Sequence, residues 1–169
     1  FQWCIANRLN FVEWLLLYEE SWADFASSEL RKSRLRQLTD LAHNLTLLAS
    51  ADVPIALRQQ HSWFMIKNTE EDDWAAQIDA RLEWLFEGAG FDFLGTESGS
   101  TEFTHADCDT MLAWINHTAL STARNFTGKR TFIKCHCSDA GTCPEFGDLD
   151  FNFLPKLAVT EMGVASHTI

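Results

Sequence analysis

Residues 61–94, which read HSWFMIKNTEEDDWAAQIDARLEWLFEGAGFDFL, carry the clearest secondary-structure signals in the chain. The run 61–67 is short, apolar and rich in aromatic residues, as is typical of a strand. Thr69 is followed three residues later by Asp72, with two glutamates between them. A capping side chain and negative charge at this spacing predict the start of a helix. The segment therefore predicts a strand followed directly by a helix.

The helix that follows Thr69 has one apolar face and a defined end. Gly88 and Gly90 close it, because glycine is the residue most often found just past a helix terminus. Its apolar side chains recur at helical spacing and predict the buried face: Trp74, Ile78, Leu82 and Leu85.

Two further helices are predicted before this segment. Apolar residues at helical spacing predict one helix over about residues 4–28. A second is predicted over about residues 29–50, ending before Pro54 because the residue preceding proline disfavours the helical region. Its predicted apolar stripe is Leu38, Leu41, Leu45 and Leu48.

Strands dominate the predictions after residue 90. Two short alternating runs, 91–94 and 101–103, flank a Gly/Ser-rich turn and predict a hairpin. A fourth helix begins at Thr104, and residues 129–134 and 149–157 are predicted strands. The predicted buried face of the fourth helix is Cys108, Met111, Leu112, Ile115 and Ala119.

This order of elements predicts the fold class. We expect one α+β domain over residues 1–169, with about four helices packed on one side of a small, mostly antiparallel sheet. The chain length and the 46% content of apolar residues fit a single domain with an ordinary core. No stretch of the sequence is long and apolar enough to predict a membrane span.

The charge of the chain indicates which partners it favours. The net charge is −11 and the isoelectric point is about 4.8. An acidic surface repels phosphates and anionic lipids, so we expect a basic protein partner and no direct binding of nucleic acid. The one dense basic run, residues 31–36, is interpreted as a solvated helix face.

A cluster of cysteines is the most specific local motif. Cys135, Cys137 and Cys143 lie within nine positions, and His105 and Cys108 precede them on the first turn of the fourth helix. Zinc prefers thiolate and imidazole ligands drawn from two chain elements. These five residues therefore predict one structural zinc ion, although the spacing is looser than that of paired CxxC knuckles.

Other interpretations of the cysteines stay open. Five cysteines together with N-x-T sequons at Asn44, Asn116 and Asn125 would also fit disulfides in a secreted, glycosylated protein. Reduced, unligated and partly buried thiols are a third interpretation. A nucleophilic thiol is disfavoured, because neighbouring residues on a strand, such as Cys135 and His136, point to opposite faces.

Three functional hypotheses follow from these patterns. The leading one is an inhibitory or immunity-type binding protein that presents an acidic, aromatic surface to a basic partner, in the cytoplasm. The second is a metal-dependent enzyme of uncommon type built on His105, Cys108 and the 135–143 region. The third is a secreted or virion-type structural subunit with disulfides. The common catalytic motifs are missing from the sequence, so an enzyme is the less favoured class.

Overall fold

The computed structural model describes residues 1–56, 61–67, 73–97 and 108–134. Helices and strands alternate along these residues, with a 3₁₀ turn at Glu20–Trp22 and a π-helical turn at Trp84–Gly88. The elements in chain order are α1 Gln2–Ala6, β1 Phe11–Leu15, α2 Ala23–Ala26, α3 Glu29–Asn44, β2 Leu48–Asp52, α4 Trp74–Glu83, β3 Phe93–Glu97, α5 Cys108–Asn125 and β4 Arg130–Lys134.

The four strands form one parallel sheet in the order β1-β2-β3-β4. Phe11 pairs with Leu48, and Phe93 pairs with Ser50 on one side and with Arg130 on the other. The predicted antiparallel sheet and α+β class are therefore wrong, and the chain is an α/β protein. The hairpin prediction rested on local turn residues, whereas β3 pairs with strands about 40 residues away in each direction.

The helices pack against one face of this sheet. Alternate strand residues point to that face, and Ala49, Ala51 and Leu94 on it are fully buried. Two of the three are alanines, and a short side chain lets a helix backbone approach the sheet closely. The helix residues in the same core include Ala42, Ile78, Leu82, Leu85, Trp114 and Ile115.

The single helix predicted over residues 4–28 is wrong. The chain instead forms α1, β1, a 3₁₀ turn and the short α2. Arg8 adopts a φ of 59° and stops α1 before β1 begins. The apolar residues at helical spacing belong to different elements, with Ile5 in α1, Val12 in β1 and Phe25 in α2, so their spacing was accidental.

The second predicted helix is correct only in its first two thirds. Ser28 caps α3 by accepting a hydrogen bond from the Arg31 backbone N–H at 3.1 Å. The helix ends at Asn44, Thr46 adopts a φ of 60°, and β2 follows. Most of the predicted leucine stripe does not face the core, because Leu38, Leu41 and Leu48 are exposed and only Leu45 packs against it.

The predictions for α4, α5 and β4 agree with the structure. The buried stripe of α4 is confirmed at Ile78, Leu82 and Leu85, and Gly90 closes the π-helical turn with a φ of 83°. The helix α5 and the strand β4 are confirmed, with Ile115 and Ala119 buried as expected. The predicted cap at Thr69 and the strand at 149–157 lie outside the described residues.

The segment 61–67 is not the strand that its composition predicts. It makes one isolated antiparallel bridge, between Ser62 and Leu17, and otherwise runs as a loop. Its four central residues, Trp63, Phe64, Met65 and Ile66, are buried. The aromatic run thus fills the core instead of joining the sheet. In the described part of the chain, no helix combines the length and apolarity that a membrane crossing requires.

Candidate functional site at the carboxyl edge and open face of the sheet

The parallel arrangement brings the carboxyl ends of all four strands to one edge of the sheet. Leu15 lies beside Asp52, Asp52 beside Gly95, and Glu97 beside Lys134. In open parallel sheets, ligands bind outside this edge, where the loops that follow the strands converge. A ligand site in this protein is therefore expected at the carboxyl edge of the sheet.

The sheet face opposite the helices is only partly covered. Leu15 is 45% exposed and Leu48 is 42% exposed, although both lie within strands. Phe11 and Phe93 meet at 5.6 Å between ring centroids across the intervening strand β2. We call this surface the open face. Its residues are Phe11, Glu13, Leu15, Leu48, Ser50, Asp52, Phe93, Arg130 and Phe132, of which Ser50 is fully buried and Arg130 is exposed.

Gly95 shapes the centre of the open face. A Cβ atom at this position would lie 2.8 Å from Oε1 of Glu13 and 2.7 Å from Cζ of Phe132. The missing side chain thus lets the Glu13 carboxylate reach from β1 across β2 to the backbone of β3. Asp52 occupies the same row of the sheet as Gly95. The open face therefore combines apolar rings and leucines with two carboxylates and the exposed guanidinium of Arg130.

The predicted metal ligands are only partly placed by the structure. Cys108 is the first residue of α5. His105, Cys135, Cys137 and Cys143 lie outside the described residues, so the structure neither assembles nor separates the five. Within the described ranges, no group of three His, Cys, Asp or Glu side chains could hold a metal ion. The remaining cysteine, Cys4, is a free thiol in α1.

A second polar cluster lies at the amino edge of the sheet, around Asp92. Its Oδ2 atom is 2.7 Å from Nε2 of His43 and accepts the Ala49 backbone N–H at 3.0 Å, while Lys129 Nζ is 3.5 Å from Oδ1. Burial alone would raise the pKa of this carboxyl. The hydrogen bonds from Ala49 and His43 and the nearby positive charges outweigh burial, and the pKa of Asp92 is lowered. The cluster joins α3, β2, β3 and β4 and is structural.

A third cluster joins α4 to α5 and contains the residue types of a hydrolytic triad. The Oδ1 atom of Asp79 is 2.9 Å from Nε2 of His117 and accepts the Ser121 hydroxyl at 2.6 Å. Asn125 Nδ2 donates to Ser121 Oγ at 3.1 Å. The hydroxyl proton therefore points to the carboxylate and not to the imidazole, so His117 is not placed to activate Ser121. The cluster is best explained as a clamp between the two helices.

Two arginines share the ring of Trp63 near the start of α3. Arg31 is 8% exposed, and its guanidinium donates to the Ala26 and Leu17 carbonyls at 3.2 and 2.8 Å. The guanidinium carbons of Arg31 and Arg81 lie 5.2 and 3.6 Å from the ring centroid of Trp63. Burial, together with the charge of Arg31, lowers the pKa of Arg81 to about 10. The interpretation of residues 31–36 as a solvated face therefore fails at Arg31.

The sequence did not predict the open face or the clusters around Asp92, Asp79 and Trp63. Each joins residues from separate elements, and a single sequence does not show which elements are neighbours. One local signal was present. Asp92 stands between Phe91 and Phe93, and a charged residue entering an apolar strand usually has a partner.

Comparison with known proteins assigns no family to the chain. No family model matches it, and no curated protein is similar to its sequence. Among solved structures, a GH27 β-L-arabinopyranosidase from Geobacillus stearothermophilus is similar to it with 16% identity and a TM-score of 0.41. A variant of that enzyme in complex with arabinose gives 14% identity and the same TM-score. In both, 62% of this chain matches 29% of the enzyme chain, so this chain spans less than a third of that enzyme. A likeness this weak assigns neither a fold nor an activity to this chain.

Proposed function

We propose that this chain is a protein-binding module that docks a basic, apolar segment of a partner on its open face. The observation that carries the proposal is the exposure of Leu15 and Leu48 within the sheet, at 45% and 42%. Ala49, Ala51 and Leu94, which point to the helices, are fully buried, whereas these leucines remain in contact with water. An apolar surface bordered by polar groups is typical of an interaction site.

Charge indicates the chemistry of the partner. Glu13 and Asp52 already interact within the chain, so the charge of the whole molecule is the better guide to the partner. The whole chain carries a net charge of −11, so its field attracts cations at long range and accelerates their association. A segment that alternates leucine with lysine or arginine matches both properties of this surface. An inhibitor or immunity-type protein would use such a surface to cover a basic site on its target.

A peptide probe tests the proposal with two matched leucines. The probe is a labelled peptide of alternating lysine and leucine, and fluorescence anisotropy measures its binding at low and moderate salt. Leu48 and Leu38 are both 42% exposed, but Leu38 lies on α3 and away from the open face. Leu48→Ser removes about 1 kcal/mol of contact and should weaken binding about fivefold, while Leu38→Ser should leave it unchanged.

Two results would contradict this function. One is the absence of salt-dependent binding to the wild-type protein at low ionic strength. The other is equal weakening by Leu48→Ser and Leu38→Ser, which would mean that the peptide adheres without a defined site. Circular dichroism of each variant shows that it remains folded.

A metal-dependent enzyme is the second candidate, and the parallel sheet favours it in one respect. Glu97 and Lys134 end neighbouring strands at the carboxyl edge. The chain continues from Glu97 toward His105 and Cys108, and from Lys134 directly into Cys135. The segments that carry the candidate ligands therefore leave the sheet from adjacent points.

Metal analysis separates this candidate from the disulfide alternative. A zinc enzyme or zinc-stabilised protein should bind about one zinc per chain, lose it in Cys135→Ser and retain it in Cys4→Ser. Five free thiols would accompany the metal and would fit a reducing, cytoplasmic compartment. No zinc and a single free thiol would instead support disulfides and a secreted protein.

A further inference from the structure

Two of the three N-x-T sequons lie at helix ends, and the third lies within a helix. Asn44 is the last residue of α3, and Asn125 is the last residue of α5. Each is followed by the turn that leads into the next strand, β2 or β4. Asn116 lies in the interior of α5. The structure therefore separates three motifs that the sequence alone does not distinguish.

In the turn after α3, both functional residues of the sequon are exposed. Asn44 and Thr46 lie at the surface, whereas Leu45 between them is half-buried and packs against the core. The Thr46 backbone N–H donates to the His43 carbonyl at 2.9 Å, which fixes the turn. A glycan on Asn44 would therefore extend into solvent without displacing a packed side chain.

The turn after α5 has the same arrangement. Asn125 and Thr127 are exposed, and Phe126 between them packs against the core. The Asn125 amide donates a hydrogen bond to Ser121 Oγ at 3.1 Å. A side-chain amide has two N–H groups, and a glycosidic bond replaces only one of them. This hydrogen bond is therefore compatible with a glycan on the same nitrogen.

The sequon within α5 is not presented in this way. Thr118 is fully buried, and its hydroxyl donates to the Trp114 carbonyl at 2.8 Å. Asn116 is half-buried and already interacts within the chain. A glycan is bulky and belongs at the surface, so one on Asn116 would compete with the packing of α5.

Thr46 adopts a left-handed backbone conformation, with a φ of 60°. This conformation is costly for a β-branched residue, and glycine or asparagine is usual at this position after a helix. Folding alone thus favours a residue other than threonine here. A sequon requires a hydroxyl-bearing residue two places after the asparagine, which gives Thr46 a chemical role.

We propose that Asn44 and Asn125 are acceptors of N-linked glycans and that Asn116 is not. The donor is an oligosaccharide carried on a lipid diphosphate in the secretory pathway. The bond between the sugar C1 atom and the diphosphate oxygen breaks, a bond from Nδ2 to C1 forms, and one Nδ2 proton passes to the diphosphate. Both acceptors precede strands and so lie at the amino edge of the sheet, opposite the carboxyl edge. The modification is independent of the docking function proposed for the open face.

The decisive measurement is glycan occupancy in the full chain isolated from the cells that naturally produce it. Peptide N-glycosidase in H₂¹⁸O converts each glycosylated asparagine to an ¹⁸O-labelled aspartate, which peptide mass spectrometry locates. A digest without the enzyme gives the background from spontaneous deamidation. Label should appear at Asn44 and Asn125 and stay at background at Asn116. Background label at Asn44 or Asn125, or equal label at all three asparagines, would overturn the proposal.

Variants made in the same cells test the role of the turn after α3. Thr46→Gly should remain folded, because glycine adopts a positive φ without strain, and it should lose the Asn44 glycan. Thr46→Ser keeps a hydroxyl and should keep the glycan, whereas Asn116→Gln should leave the glycan mass unchanged. Circular dichroism shows whether each variant is folded. Retention of the Asn44 glycan in Thr46→Gly, or loss of glycan mass in Asn116→Gln, would contradict the proposal.

Discussion

Replacing Asp92 with asparagine should destabilise the protein mainly through loss of charge. Asparagine keeps an oxygen that can accept the Ala49 backbone N–H, which lies 3.0 Å from the native carboxylate. The charge-assisted hydrogen bond to His43, at 2.7 Å, is weakened, and the longer contact with Lys129 is lost. We expect a cost of about 1.5 kcal/mol for the first and about 0.5 kcal/mol for the second, after allowance for their partial exposure to solvent.

The effect of Asp92→Asn should depend on pH in a defined direction. The pKa of Asp92 is lowered in the folded protein, because the Ala49 N–H, His43 and Lys129 together outweigh burial, which acts in the opposite direction. A lowered folded pKa contributes stability that is fully present above the unfolded value of about 3.9. This contribution is lost as the pH falls through the folded pKa. The difference between the wild-type protein and Asp92→Asn should therefore shrink below about pH 4.

Urea unfolding at pH 7 and pH 3, followed by circular dichroism, measures both effects. At pH 7 the variant should lose about 2 kcal/mol of unfolding free energy, equivalent to a decrease in melting temperature of about 4–8 °C. Asp40→Asn is the control, because Asp40 is exposed on α3 and should contribute little. An Asp92→Asn variant as stable as wild type at pH 7, or a difference that does not shrink at pH 3, would refute the reasoning.

Two further substitutions test the packing of the sheet. Gly95→Ala should destabilise the protein by about 1–3 kcal/mol, since the added Cβ atom would meet Phe132 at 2.7 Å and Glu13 at 2.8 Å. Thermal melting measures this, and an unchanged melting temperature would mean that both side chains move aside freely. Leu82→Ala should cost about 2–5 kcal/mol because Leu82 is fully buried, whereas Leu38→Ala, at an exposed position, should cost less than about 0.5 kcal/mol. Similar losses in the two leucine variants would contradict the assignment of the core.

The sequence predicted those elements whose apolar residues recur regularly over several turns within one segment. The helix α4 buries Ile78, Leu82 and Leu85 on one stripe, and its end is marked by glycines. The strand β2 has no such mark, because its buried residues Ala49 and Ala51 are small and also favour helices. The prediction therefore extended α3 through β2, and the leucines that supported the extension are largely exposed.

The parallel sheet and the candidate sites depend on long-range pairing. Nothing near Phe93 indicates that its strand pairs with β2 and β4 instead of folding back on a hairpin. The contact between Arg81 and Trp63 joins a helix to a loop and leaves no periodic signal in the sequence. Composition did predict the acidic character of the chain, but not the face on which its carboxylates and leucines come together.

The strands lie in the sheet in the same order in which they are synthesised. Each of these strands can join a neighbour that already exists, since pairing partners are separated by about 40 residues and, among the four described strands, each new one pairs with the strand just before it. Folding on the ribosome can therefore proceed by accretion, one strand and one helix at a time, at a single growing edge. Because addition at that edge leaves the earlier strands undisturbed, the same architecture can be lengthened by duplication of its unit without rearranging what has already folded.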